Sequence, residues 1–163
     1  MTLVILFIAL SISLYTDVKN RKILNVVTFP TMLAGLLWHS VTNGFDGFTF
    51  SILGIIAGFA LLFIPYALGG MAAGDVKLLM AVGALQGAIF TFYSFLYIAL
   101  FGGIIAFFLL IRKKELGSTL KRIFFFAKLG SLDGVSKHEY HKAFPYGVAI
   151  FLGTVCYAGV SLL

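Results

Sequence analysis

Six acidic residues occur in this chain of 163: Asp17, Asp46, Asp75, Glu115, Asp133 and Glu139. Four of them stand in polar loops or turns, where a carboxylate is simply solvated. Asp17 and Asp75 differ, because each abuts an apolar run, LVILFIALSISLYTD in one case and DVKLLMAVGAL in the other. An ionised carboxylate beside hydrocarbon is expensive, and where one is kept it usually has a function. Two carboxylates within hydrogen-bond reach cannot both ionise cheaply, so they share a proton and titrate as a pair. Such a pair is acid and base at once. The ionised member takes a proton from water, which attacks a carbonyl, while the protonated member polarises that carbonyl. This is aspartic protease chemistry, and it requires no metal and no cofactor. The same residues also have a plainer use, with Asp17 as an interfacial charge among Lys19, Arg21 and Lys22 and Asp75 as a helix cap.

Other reactive groups are sparse. Cys156 stands alone in an apolar run, which excludes a disulfide framework and a Cys-x-x-Cys zinc pair. SKHEYHK, 136–142, resembles a zincin motif only superficially, because Lys142 replaces the second histidine. His138 and His141 have no third ligand nearby, and the scattered Ser and Thr have no partner base. His39, next to Trp38, is expected in a membrane-interface belt.

The elements that must position the two acids are set by composition. Hydrophobic residues make up 61% of the chain and charged residues 11%, with a mean hydropathy of +1.06. Such values belong to an integral membrane protein, and a chain of this length makes one domain. A span needs about 20 apolar residues. The apolar runs suggest an all-α bundle of six transmembrane helices near 1–17, 26–42, 48–68, 76–88, 89–111 and 143–163, with a turn near Gln86 and Gly87 between the fourth and fifth. The first run lacks a basic leader and a small-x-small cleavage site, so it is expected to be a retained helix.

On this topology every cation falls on one side: Lys19, Arg21 and Lys22 in the first loop, Lys77 beside the third, and the remaining eight in the fifth. The positive-inside rule makes that side the cytoplasm and leaves both termini outside. The net charge of +6 therefore reports topology, and no nucleic-acid partner is expected. Asp17 and Asp75 then emerge at the same cytoplasmic face. Within the fifth loop, STLKRIFFFAKL, 118–129, has the spacing of a helix lying on the inner leaflet. NGFDG, 43–47, is expected to be a plain outer turn.

Three stretches carry a resemblance. GGMAAGDVKLL, 69–79, is similar to the Gly-x-Gly-Asp signature of the type IV prepilin peptidases, membrane aspartic proteases that remove pilin leader peptides. TDVKNRKILNVVTFP, 16–30, resembles the first aspartate segment of that family, and AFPYGVAI, 143–150, resembles the Pro-Tyr/Phe-Gly segment opening its last helix. The matches fall in family order and span essentially the whole chain. Ala72 stands where the first Gly of the signature is usual, and Leu24 where Pro is usual.

The resemblance implies catalytic roles for Asp17 and Asp75, with Gly74, Lys77, Arg21 and Asn25 as supporting or substrate-binding residues. Gly74 gives an open approach to the acid or close helix packing, Asn25 an N-cap for the second span, Arg21 a local field, and Lys77 a contact to substrate or to the interface. It also implies a prepilin or pseudopilin precursor as partner, contact with membrane lipid, and either a monomer or a homo-oligomer. The chain lacks the cysteine-rich region of the longer, methylating members, so it resembles the short form serving Tad-type pili. A reading from another class is a small channel, transporter or scaffold in which Asp17 and Asp75 bind a cation or proton. The uncharged third, fifth and sixth spans disfavour it.

Overall fold

A computed structural model describes residues 1–112 and 146–162. The interfacial helix expected at 118–129, the His138–His141 pair and the first three residues of AFPYGVAI lie outside these residues. The described chain is all helical: α1 (Thr2–Asn20), α2 (Asn25–Ala67), α3 (Ala73–Arg112) and α4 (Gly147–Ser161). Three helices are long and apolar enough to cross a membrane, namely Thr2–Asn20, Asn25–Ala67 and Ala73–Phe108, and Gly147–Ser161 is a shorter apolar helix. Two compact units divide the chain, one made of Met1–Gly102 with Pro145–Leu163 and the other of Gly103–Phe144. All that follows concerns the first unit.

Each of the two longest helices is interrupted once, at a glycine. Gly44 (φ 58, ψ −133) breaks α2, and Gly87 (φ 81, ψ 174) breaks α3. Both have the positive φ that a side chain resists, and the Gly87 conformation is open almost to glycine alone. The chain folds back on itself at Gly44, since Gly47 lies against the His39 carbonyl and Ser51 Oγ donates to Gly35 O at 3.3 Å. The expected turn near Gln86 and Gly87 thus occurs at Gly87, whereas the expected turn at 43–47 is a single-residue break within an otherwise helical stretch.

Glycine contacts hold these limbs together. Gly54 and Gly83 meet backbone to backbone, a methyl on Gly35 would lie 2.6 Å from Ala84 O, and one on Gly58 would lie 2.6 Å from Leu79 O. Ser51 Oγ also donates to Ala84 O at 2.8 Å, joining both limbs of α2 to α3. Large side chains such as Ile8, Leu33, Leu37, Ile56 and Phe59 point outward, while Ser13, Thr28, Thr91 and Thr154 are buried. That inversion suits a bundle in lipid, where dispersion and close backbone approach hold helices together. His39 is not a free belt residue, because its Nε2 donates to Leu85 O at 3.0 Å and its ring packs on Phe50. It ties α2 to α3 just before the Gly87 break.

Candidate active site

Asp17 lies in the last turn of α1. The helix ends at Asn20 because Arg21 takes the left-handed conformation (φ 52, ψ 38) and donates its backbone N–H to Asp17 O at 2.8 Å. The Asp17 side chain leaves its own helix and reaches the start of α4, where Gly147 N–H donates to Oδ2 at 2.8 Å. Residue 147 must be small for this. A Cβ there would stand 2.6 Å from Asp17 Oδ2 and 3.1 Å from Cγ.

Asp75 is held by the start of α3. The chain leaves α2 through a non-helical link, 68–72, in which Gly69 has φ 75. It then enters α3 at Ala73, so Asp75 sits in the first turn. Its Oδ2 accepts the Ala72 N–H at 3.1 Å, and its own N–H donates to Ala72 O at 3.1 Å. This reciprocal bonding resembles the carboxylate half of a capping box. The plain helix-start role expected as an alternative for Asp75 is therefore real, and it uses one oxygen of the carboxylate. Ala72, where glycine is usual in the resembled signature, is not among the residues with positive φ. Alanine meets no backbone penalty there.

Asp17 and Asp75 are each 5% exposed, and each lies within Coulombic range of the other. Three elements bring them together: α1 supplies Asp17, α3 supplies Asp75, and α4 supplies the donor that holds Asp17. The link between α1 and α2 completes the arrangement. A methyl on Gly74 would lie 2.9 Å from Ile23 Cβ, so a side chain at 74 would push α3 away from this link. Lys77 Nζ donates to Asn25 Oδ1 at 3.0 Å and stands 5.1 Å from the Phe29 ring centroid, fastening the starts of α2 and α3 together.

Gly74, Lys77, Arg21 and Asn25 thus gather around the acids, with local tasks that differ from some expectations. Asn25 is not the cap of α2. Leu24 occupies that position with extended torsions (φ −79, ψ 130) and no capping side chain, and the Asn25 amide is engaged by Lys77 instead. Gly74 provides close packing, and Arg21 terminates α1. Sequence reasoning did not single out Tyr146 and Gly147 as site residues. The only signal was the Pro-Tyr-Gly order at the start of the last apolar run, because a backbone N–H leaves no trace in residue type.

The model of the type IV leader peptidase family matches residues 4–109. That range contains Asp17 and Asp75 and ends before Tyr146 and α4. Neither the curated proteins nor the solved structures give a match.

Proposed function

The chain belongs to the type IV leader peptidase family, and from that premise we propose that it is a membrane-embedded aspartic endopeptidase. Asp17 and Asp75 are its catalytic pair, and its substrate is a prepilin-like precursor cleaved at the cytoplasmic membrane face. The observation that carries this reading is two buried carboxylates on separate helices, within Coulombic range of each other and each bonded to a backbone N–H through Oδ2. The breaks at Gly44 and Gly87 support six spans, with the acids at one end of the bundle and both termini at the other.

In this mechanism the pair holds one proton. The ionised carboxylate takes a proton from a water as the water oxygen bonds to the scissile carbonyl carbon. The other carboxyl donates to the carbonyl oxygen, giving a tetrahedral diol. Collapse of the diol breaks the C–N bond and passes a proton to the departing nitrogen, which leaves as an amine. The leader keeps the new carboxylic acid. Between two buried groups these transfers are favoured by low dielectric and by the fixed position of each carboxylate. Residues of the apolar bundle hold the substrate's apolar stem, and water reaches the pair from the membrane face.

The test is co-expression of a prepilin-type substrate with wild type, Asp17→Asn and Asp75→Asn, reading the substrate mass. Asparagine keeps the shape and removes the titrating proton. Cleavage at the junction by wild type alone is the expected result. Continued cleavage by either variant overturns the pair as catalyst.

A further inference from the structure

We infer that the Tyr146 hydroxyl is a third catalytic group, a hydrogen-bond donor to the oxygen of the scissile carbonyl as that oxygen takes up negative charge. This role rests on the peptidase reading above and extends it to a residue outside the family match. Tyr146 is the residue before α4, so its neighbour Gly147 is the one that clamps Asp17. The phenol also lies in the electrostatic field of Asp75. Tyr146 is therefore tied to Asp17 through its chain neighbour and lies within Coulombic range of Asp75.

Its hydroxyl is positioned but not consumed. The ring end rests over Gly102, where an added methyl would stand 2.9 Å from the hydroxyl oxygen and 3.2 Å from ring carbons. Among the described residues the hydroxyl makes no hydrogen bond, whereas Asp17 and Asp75 each accept one. A half-buried phenol whose hydroxyl makes no bond among the described residues has its proton to give to an acceptor that arrives with the substrate. A phenol keeps its proton at neutral pH. It stabilises the tetrahedral oxygen by donating a hydrogen bond and returns to its free state when the C–N bond breaks. No bond to Tyr146 forms, and no proton is lost from it over the cycle.

The experiment uses the full chain in detergent micelles and a synthetic prepilin-type peptide with a basic leader, a Gly-Phe junction and an apolar stem. Tyr146→Phe deletes only the hydroxyl. The expected loss is about a hundredfold in kcat, the usual effect of removing one oxyanion donor, with KM within about twofold of wild type. Gly102→Ala reaches the same hydroxyl from the other side. The hydroxyl is the end of a side chain and gives way, so the protein folds, and kcat falls with KM unchanged. Gly159→Ala is the control, because a methyl there meets nothing among the described residues. Tyr157→Phe is a second control, since Tyr157 stacks on Tyr93 about 15 Å further along α4.

If Tyr146→Phe does not fold, 3,5-difluorotyrosine at 146 and Gly102→Ala decide the question. The fluorinated residue is a stronger donor of nearly the same shape while it stays protonated, and assayed below its own pKa it is expected to match or exceed wild-type kcat at that pH. Wild-type kcat in Tyr146→Phe or Gly102→Ala, with Asp17→Asn and Asp75→Asn inactive, overturns the role and leaves the acid pair standing. A wild type that does not cleave a peptide cut by another family member removes the peptidase reading, and this role falls with it.

Discussion

Gly147→Ala separates positioning from chemistry, because it alters no titratable group. A Cβ built on residue 147 lies 2.6 Å from Asp17 Oδ2, whereas ordinary contact begins at 3.4 Å, so the carboxylate or the start of α4 must move by 0.8 Å. Neither move is free. Swinging Asp17 away lengthens the 2.8 Å bond from Gly147 N–H, and a hydrogen bond to a charged group is worth about 1.5–3 kcal/mol. Moving α4 instead disturbs its contact with α3, where Gly153 faces Ile98 with only 2.5 Å for an added methyl. Overpacking of this kind costs about 1–3 kcal/mol. The protein is therefore expected to fold with a lower melting temperature.

Catalysis is more sensitive than stability here, since a misplacement of about 1 Å can cost on the order of 10²-fold in rate. Gly147→Ala should thus lower kcat on a prepilin-type peptide by roughly that factor, measured beside a thermal melt in the same detergent. Wild-type kcat in a folded Gly147→Ala protein would falsify the claim that the α4 N-terminus holds Asp17 for reaction.

Three further substitutions probe the frame around the site. Leu24→Pro should raise stability by about 0.4–1 kcal/mol, because Leu24 already has φ −79 and proline fixes φ near −65°; a lower melting temperature would contradict the cap assignment. Ala72→Gly should leave kcat within about twofold of wild type, since residue 72 needs no positive φ and its N–H still reaches Asp75; a large gain in activity would show that the alanine obstructs substrate. Gly54→Val should destabilise by at least about 1–3 kcal/mol, because its Cβ runs into the Gly83 backbone, and an unchanged unfolding midpoint in denaturant would refute the packing described between α2 and α3.

The acids were legible because a charge in an apolar run stands out whatever fold surrounds it. The Gly87 break was legible too, since Gln86 and Gly87 interrupt a hydrophobic stretch too long for one span. Asn25 shows where residue type misleads. Its cap propensity is real, but Lys77 offers a side-chain partner from another helix, and the local rule gave way to that tertiary contact. The extents of the helices were also underestimated. α1 runs to Asn20, past Asp17 at the expected end of its span, and α3 starts at Ala73, before Asp75, so helix extends on both sides of each acid. The contact of Gly54 with Gly83 had no sequence signature at all, and the clamp from Gly147 had only the Pro-Tyr-Gly order, because each uses backbone atoms of residues far apart in the chain.

In the proposed mechanism backbone atoms also let two acids be fixed in an apolar bundle and still exchange a proton. An ammonium or guanidinium bonded directly to a carboxylate would orient it firmly, but it would also hold it ionised and deny the pair its shared proton. A backbone N–H orients through one hydrogen bond and adds no net charge. Asp17 and Asp75 are both held this way through Oδ2, so in the proposed mechanism each keeps its other oxygen for water or substrate. The demand is close approach, met where Gly74 faces Ile23, Gly147 faces Asp17 and Gly102 faces Tyr146, each with under 3 Å for an added methyl. Small residues at these three positions therefore do what ion pairs do in a soluble active site, and enlarging any of them should disturb activity sooner than folding.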